Sequence, residues 1–181
     1  MLIEALGQQM AVCSLEGAAR LIAVDKNYWN VVSICGPWDR KASLPGAESI
    51  HYACFDDVED PASNIYRSAR AADIAGIFGF MRGLGTGPER APLLIHCAQG
   101  ISRSTGVALS WIYGQLPAGE DRSERAIDIL LGLRPEAKPN RLVLSLGLAQ
   151  FLAADEAADL AERMIREPRL YRNRFQPMPN F

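Results

Sequence analysis

Hydrophobic positions along the chain fall into short apolar runs separated by longer stretches of helical period. The apolar runs predict strands over residues 2–6, 29–35, 49–55 and 92–96. The second run is rich in β-branched residues and ends at Gly36-Pro37, a pair that terminates a strand ladder. The last run would be covered on both faces, as is typical of a buried parallel strand.

Helical spacing of apolar residues predicts helices over 15–23, 63–81, 105–113 and 121–131, and a longer one from 140 onward. The acidic stretch 155–159 would bend or extend that last helix. Ser14, Asp121 and Asn140 precede predicted helices and are residue types that cap helix N-termini. Because strands alternate with helices, the pattern predicts an α/β layer fold around a mostly parallel sheet.

The length of 181 residues indicates one domain, which we place at 1–166. The remaining 167–181 carry three prolines together with arginines and aromatic residues. This composition predicts an irregular C-terminal tail that packs on the surface or frays, with docking of the tail as the minor alternative.

Net charge and the length of the apolar runs argue against nucleic acid and membranes as partners. With 19 basic and 21 acidic residues the net charge is −2, so no general basic field favours nucleic acid. The N-terminus lacks the charged start of a secretory signal, and no apolar run approaches membrane-spanning length. We therefore expect a cytoplasmic protein with no membrane partner; its oligomeric state stays open.

The four cysteines are too far apart in the sequence for a zinc knuckle or a redox pair, and there are only two histidines. We expect free thiols, no metal and no cofactor.

The stretch that carries chemistry lies between the strand at 92–96 and the following helix. Cys97 and Arg103 bracket five residues, which would place a ring of backbone amides and the positive end of a helix dipole around one centre. Such a ring binds a dianion and favours the thiolate of a cysteine at its base. Arg103 adds a planar fork for two phosphate oxygens. The predicted phosphate-binding residues are Ala98, Gln99, Gly100, Ile101, Ser102 and Arg103.

The sequence His-Cys-Ala-Gln-Gly-Ile-Ser-Arg-Ser-Thr over 96–105 resembles the His-Cys-x5-Arg-Ser/Thr signature of the cysteine-dependent protein tyrosine phosphatase superfamily. It is most similar to the dual-specificity branch and its bacterial relatives. The resemblance extends over about 28–152 and includes the segments 31–35, 51–57 and 134–140. It implies a three-layer fold, with a central, mostly parallel sheet flanked by helices.

The resemblance also implies roles for single residues. Cys97 attacks the phosphate and forms a cysteinyl-phosphate intermediate, which water hydrolyses. An upstream aspartate acts as the general acid; we choose Asp57, with Asp56 as the alternative. Ser104 bonds to the cysteine sulfur and eases its departure, and His96 positions the loop through the backbone rather than acting as a base. The neighbouring Glu59 and Asp60 are interpreted as a solvated acidic turn.

Three features have two interpretations each. Asn140 either supports the late loop near the pocket or only caps a helix. By resemblance, Cys35 or Cys54 forms a reversible disulfide with Cys97; otherwise Cys35 is a small buried apolar side chain. Trp38 and Arg40 either line the rim of the pocket or belong to a surface turn.

The neutral side chains of Ala98, Gln99 and Ile101 argue against polyphosphorylated inositol substrates. We expect phosphorylated proteins or peptides as substrates, most of all phosphotyrosine, with phosphoserine and phosphothreonine possible. Two other classes stay open: a catalytically silent phosphate-binding module and a thiol-redox enzyme of the arsenate-reductase type.

Overall fold

A computed structural model of the chain describes residues 1–85 and 90–175. Five strands form one sheet in the order β1-β2-β5-β3-β4, in which β1 is antiparallel to β2 and the other neighbours are parallel. The strands are β1 (Leu2–Ile3), β2 (Gln8–Ser14), β3 (Asn30–Cys35), β4 (Ser49–Cys54) and β5 (Arg90–Cys97). The predicted mostly parallel sheet is confirmed.

Helices cover both faces of this sheet. They are α1 (Leu15–Val24), α2 (Ala71–Gly83), α3 (Arg103–Gln115), α4 (Arg122–Leu133), α5 (Arg141–Leu148), α6 (Ala154–Ile165) and α7 (Pro168–Arg174). Ala18 and Ile22 of α1 pack with Val31 and Leu94 in a small core on one face. The other helices share the larger core on the opposite face. The three-layer α/β architecture predicted from the sequence is therefore confirmed.

The central strand β5 determines where the site lies. All its residues from Leu93 to Cys97 are buried, which confirms the prediction of a strand covered on both faces. Ser14 at the end of β2 is the register partner of Cys97, and Cys35 at the end of β3 is that of Cys54. Ligands bind preferentially at the carboxyl edge of parallel strands, and this edge carries all four cysteines.

The helix α2 begins eight residues later than the spacing predicts, and the predicted start at 63 is wrong. Ile65, expected on its apolar face, lies in a loop and is 85% exposed. The loop is held by polar contacts, since the Arg67 amide donates to Asp56 Oδ2 at 2.8 Å. Arg70 is the N-cap of the helix, and its backbone amide donates to the Asp73 carboxylate at 3.0 Å. It ends at Gly83.

The C-terminal part differs from the predicted irregular tail. Pro168–Arg174 form α7, with the Glu167 carboxylate accepting from the Arg169 amide at 2.8 Å as an N-cap. Leu170 is buried, and Asn173 donates to the carbonyl of Pro135 at 2.7 Å. Pro168 stands in the first turn, where proline is compatible with a helix, and the cap and the packing stabilise the turns that follow, so the prediction of irregular structure is wrong for 168–174. The boundary between a domain at 1–166 and a tail stays a prediction.

The predicted long helix from 140 onward is two helices, α5 and α6, separated by 149–153. In the described ranges, no helix combines the length and apolar character needed to cross a membrane.

Candidate active site

The loop from Cys97 to Arg103 joins the end of β5 to the first turn of α3. The Cys97 side chain is 2% exposed, and its sulfur accepts from the Gly100 amide at 3.3 Å. The Ser104 hydroxyl lies 3.2 Å from the same sulfur. The sulfur thus has two hydrogen-bonding neighbours and stands beside the N-terminus of α3, whose dipole favours negative charge.

Gly100 holds the loop against the neighbouring strand. Its φ is +69°, a left-handed conformation, and a Cβ there would lie 2.1 Å from the carbonyl carbon of Cys13 and 2.4 Å from the Ser14 nitrogen. The Leu15 amide donates to the Ala98 carbonyl at 3.2 Å at the same junction. The backbone at the end of β2 leaves no space for a side chain, so only glycine fits here.

Gly100→Ala should therefore destabilise the protein by about 2–4 kcal/mol and lower its melting temperature by roughly 6–12 °C. The matched control is Gly79→Ala, because Gly79 lies in α2 with no neighbouring atom within 4 Å of a Cβ. That variant should melt at the same temperature or slightly higher, since alanine favours a helix. Calorimetry of both checks this. Equal melting temperatures for the two variants would contradict the close approach at Gly100.

The segment 134–140 braces the loop from the other side. The Lys138 amide donates to Ile101 at 2.8 Å, and the Asn140 amide donates to Ser102 at 3.2 Å. The Arg134 guanidinium donates to the Gln99 carbonyl at 3.3 Å. These bonds fix the carbonyls of the loop away from its centre, which leaves its concave side to the amides.

Arg103 is anchored before any substrate binds. One terminal nitrogen donates to the Phe55 carbonyl at 2.8 Å, and the side chain is 7% exposed. Its Nε lies 3.9 Å from Asp57 Oδ2 and makes no hydrogen bond within residues 1–85 and 90–175. A buried donor of this kind is costly unless a ligand completes its bonding, as an oxyanion does.

Asp57 faces the loop, whereas Asp56 does not. Asp57 Oδ1 accepts from Ser102 Oγ at 2.6 Å and from Asn140 Nδ2 at 2.8 Å. Asp56 instead accepts from the Arg67 amide, and of the two only Asp57 lines the cleft at Cys97. The geometry therefore favours Asp57 as the candidate acid. Asn140 also caps α5 by accepting from the Val143 amide, so both interpretations of Asn140 apply.

The cleft has a volume of about 350 Å³. Its described lining residues are Asp57, Glu59, Cys97, Ala98, Gln99, Ile101, Ser102, Arg103, Lys138 and Arg174. All predicted loop residues except Gly100 line it, and Gly100 lies against β2. Trp38 and Arg40 are not among these lining residues, and Trp38 is 95% exposed, so their predicted place at the rim is not supported.

Glu59, expected in a solvated turn, lies at a bend and is half-exposed, but its carboxylate is also held by two arginines. Its carboxylate accepts from the Arg141 amide at 2.9 Å and from Arg174 at 3.0 Å. Burial raises the pKa of Glu59, but these hydrogen bonds outweigh burial, and the pKa lies below its ordinary value. Glu59 and Arg174 line the cleft although the sequence did not predict them there; the only signal for them was the group of arginines in the C-terminal segment.

His96 and the other three cysteines are not among the described residues that line the cleft. Burial lowers the pKa of His96, so its ring is neutral at neutral pH, and Nδ1 lies 3.5 Å from the Cys97 carbonyl. Burial also raises the pKa of Cys13 and of Cys35 to about 12. The Cys35 sulfur lies 2.9 Å from that of Cys54, while the described contacts of Cys97 are elsewhere. A disulfide to Cys97 stays a prediction.

No group of three or more His, Cys, Asp or Glu side chains in the described ranges is arranged to hold a metal ion.

No protein-family model matches the sequence, and no curated protein matches it either. Solved structures do match. The crystal structure of human DUSP28 superposes with a TM-score of 0.56 at 16% identity, covering 85% of this chain and 94% of that chain. The phosphatase domain of Yvh1 from Chaetomium thermophilum gives 0.53 at 20% identity, with coverages of 80% and 90%. The structure of PTPMT1 in complex with PI(5)P gives 0.50 at 13% identity, with coverages of 86% and 92%.

At these identities the likeness establishes the fold. This chain has the fold of the cysteine-based protein tyrosine and dual-specificity phosphatases, as the sequence predicts.

Proposed function

We propose that this protein is a phosphatase that hydrolyses phosphomonoesters through a cysteinyl-phosphate intermediate. One observation carries the proposal: the Cys97 sulfur lies at the base of an amide-lined loop, with Arg103 and Asp57 at the same cleft. These three groups are the nucleophile, the phosphate ligand and the acid that the reaction needs.

In the first step the Cys97 sulfur attacks phosphorus and the bond to the leaving oxygen breaks. The loop amides and Arg103 bind the equatorial oxygens, where negative charge is spread in the transition state. Asp57 gives its proton to the leaving alkoxide or phenoxide, so that a neutral alcohol departs. The hydrogen bonds from Ser102 and Asn140 to Asp57 orient this carboxyl before substrate arrives.

In the second step water attacks the phosphocysteine and the sulfur leaves. Asp57, now ionised, accepts the proton of the water and inorganic phosphate is released. Ser104 is 3.2 Å from the sulfur and donates to it as negative charge returns.

Phosphorylated proteins or peptides are the proposed substrates, with phosphotyrosine first and phosphoserine or phosphothreonine possible. The neutral side chains of Ala98, Gln99 and Ile101 support a single bound phosphate, since they offer no cation to a second one. The cleft is more basic than the loop sequence predicts, because Lys138 and Arg174 line its wall, but Glu59 balances Arg174.

The test is hydrolysis of an aryl phosphate and of matched phosphotyrosine and phosphoserine peptides by the wild-type protein. We expect turnover of the aryl phosphate and phosphotyrosine peptide, with competitive inhibition by vanadate. A folded protein that binds vanadate without turnover would favour a phosphate-binding module. Reduction of arsenate by an added thiol, without phosphatase activity, would favour the redox alternative. A preference for a short-chain phosphoinositide over both peptides would contradict a protein substrate.

Ser104→Ala should slow the second step more than the first, because it removes the donor to the departing sulfur. We expect turnover to fall by about 10²-fold, the usual scale for removal of one preorganised donor. Rapid-mixing kinetics should show a burst of released phenol and an accumulated phosphoenzyme. The control is Ser110→Ala, whose hydroxyl bonds to carbonyls within α3 and lies away from the sulfur. Turnover without a burst in Ser104→Ala would contradict the assigned role.

A further inference from the structure

The segment that follows Asp57 is held by ionic contacts on two sides. Glu59 accepts from the backbone amide of Arg141 at the start of α5, at 2.9 Å. Its second oxygen lies 3.9 Å from the Arg141 Nε, and its carbonyl accepts from the same guanidinium at 3.4 Å. These contacts tie the loop to the helix that Asn140 caps.

The second contact comes from the far end of the chain. Arg174, the last residue of α7, donates to Glu59 Oε1 at 3.0 Å and to the Pro139 carbonyl at 3.0 Å. Its side chain is 29% exposed and lines the same cleft as Cys97. One guanidinium thus bridges the segment that carries Asp57 and the segment that braces the phosphate loop.

The helix α7 is itself firmly attached, which makes Arg174 a fixed anchor. Leu170 is buried in the main core, and Asn173 donates to the carbonyls of Pro135 and Ala137 at 2.7 and 3.1 Å. These contacts do not involve Glu59. Removing the charge of Arg174 should therefore release the acid loop and leave α7 in place.

We propose that Glu59 and Arg174 form a latch that positions the Asp57 carboxyl for proton transfer, which makes α7 a functional part of the active site. The inference rests on the proposed function. Neither residue touches the reacting atoms; both act through Asp57. A small displacement of the acid lowers the reaction rate only where the leaving group has to be protonated by that acid. The latch therefore predicts an effect that depends on the leaving group.

The experiment compares wild type, Arg174→Gln, Glu59→Gln and the double variant on nitrophenyl phosphate, phenyl phosphate and a phosphotyrosine peptide. For Arg174→Gln we expect kcat on phenyl phosphate and on the peptide to fall roughly tenfold. This is less than the rate enhancement of about 10²–10⁴-fold that a general acid contributes, because the acid is displaced and not removed. On nitrophenyl phosphate, whose leaving group is stable without a proton, kcat should change by less than about twofold. Vanadate affinity should be unchanged.

Three controls separate positioning from folding. Arg172→Gln removes an exposed charge of the same helix and should behave as wild type. Arg174→Lys keeps the charge and should be intermediate. The double variant should be no worse than Glu59→Gln alone, because residues that act as one unit are not additive.

An equal loss of kcat on all three substrates, or a loss of vanadate affinity, would assign a purely structural role to the latch and overturn the inference. Unchanged kcat on phenyl phosphate in both single variants, with an active wild type, would overturn the latch and leave the phosphatase proposal standing. A wild-type protein that hydrolyses none of the three substrates would overturn the proposed function, and the latch with it.

Discussion

Cys97→Ser is expected to reduce aryl phosphate turnover to background, a loss of at least about 10⁴-fold. A serine hydroxyl remains protonated at neutral pH and has no general base beside it, because the described neighbours of the sulfur are the Gly100 amide and the Ser104 hydroxyl. Both neighbours can donate a hydrogen bond to a negatively charged sulfur, and neither accepts a proton readily. Steady-state assays with nitrophenyl phosphate measure the loss.

The loop from Cys97 to Arg103 should keep its conformation after this substitution. The carbonyls of Gln99, Ile101 and Ser102 accept hydrogen bonds from the segment 134–140, and Gly100 packs against the backbone of β2. None of these contacts depends on the cysteine sulfur. Cys97→Ser should therefore bind phosphate and phosphotyrosine peptide with affinities close to those of the wild type. Isothermal titration checks this, and a peptide that binds without turnover would also serve as a trapped complex.

The matched control is Cys35→Ser, at the end of the neighbouring strand. Burial and the hydrogen bond to Cys54 raise the pKa of Cys35 to about 12, so this cysteine is a thiol at neutral pH. Its replacement should leave turnover close to that of the wild type. If Cys35→Ser were as inactive as Cys97→Ser, or if Cys97→Ser retained turnover within tenfold of the wild type, the cysteinyl-phosphate route would be contradicted.

Local features of the sequence were sufficient to predict the strand, loop and helix around Cys97. The run at 92–96 has no polar face, Gly100 marks a backbone constraint, and Cys97 and Arg103 have a spacing that suits a loop around an anion. Each of these signals lies within about a dozen residues. The structure places the predicted loop residues around one cleft, because the short chain between β5 and α3 permits little else.

The contacts that complete the cleft could not be predicted in the same way. Glu59 and Arg174 are 115 residues apart, and the acidic run around Glu59 has the composition of an ordinary surface turn. Arg174 lies in a segment whose prolines predict irregular structure, but Pro168 in the first turn, the Glu167 cap and the burial of Leu170 stabilise a helix there instead. Such pairs depend on tertiary packing, which composition and periodicity do not report.

The choice between Asp56 and Asp57 is an intermediate case. Two adjacent carboxylates cannot be distinguished by spacing, and both lie beyond the end of β4, with Asp57 at a bend. Here Asp56 is directed to the Arg67 amide, and Asp57 to Ser102 and Asn140. Sequence therefore predicts that one of the pair faces the loop, and the contacts that each carboxylate makes in the fold decide which.

Asp57→Asn is expected to lower kcat on phenyl phosphate by about 10²–10⁴-fold. The amide oxygen of asparagine can still accept from Ser102 and Asn140, so the fold and vanadate binding should be preserved. The loss should shrink as the leaving group becomes more acidic, because nitrophenolate departs without a proton.

Asp56→Asn is the matched control, since it removes the same negative charge from the adjacent residue. Asp56 accepts from the Arg67 amide, a bond that an asparagine oxygen can replace, and we expect turnover within a few fold of the wild type. If Asp56→Asn rather than Asp57→Asn gave a loss of kcat that grew as the leaving group became less acidic, the assignment of the acid would be reversed. If neither did, the proton would have to come from another group at the cleft, and Glu59 is the remaining carboxyl in its described lining. The Glu59 carboxylate already accepts from Arg141 and Arg174, which keep it ionised, so the proton is expected from Asp57.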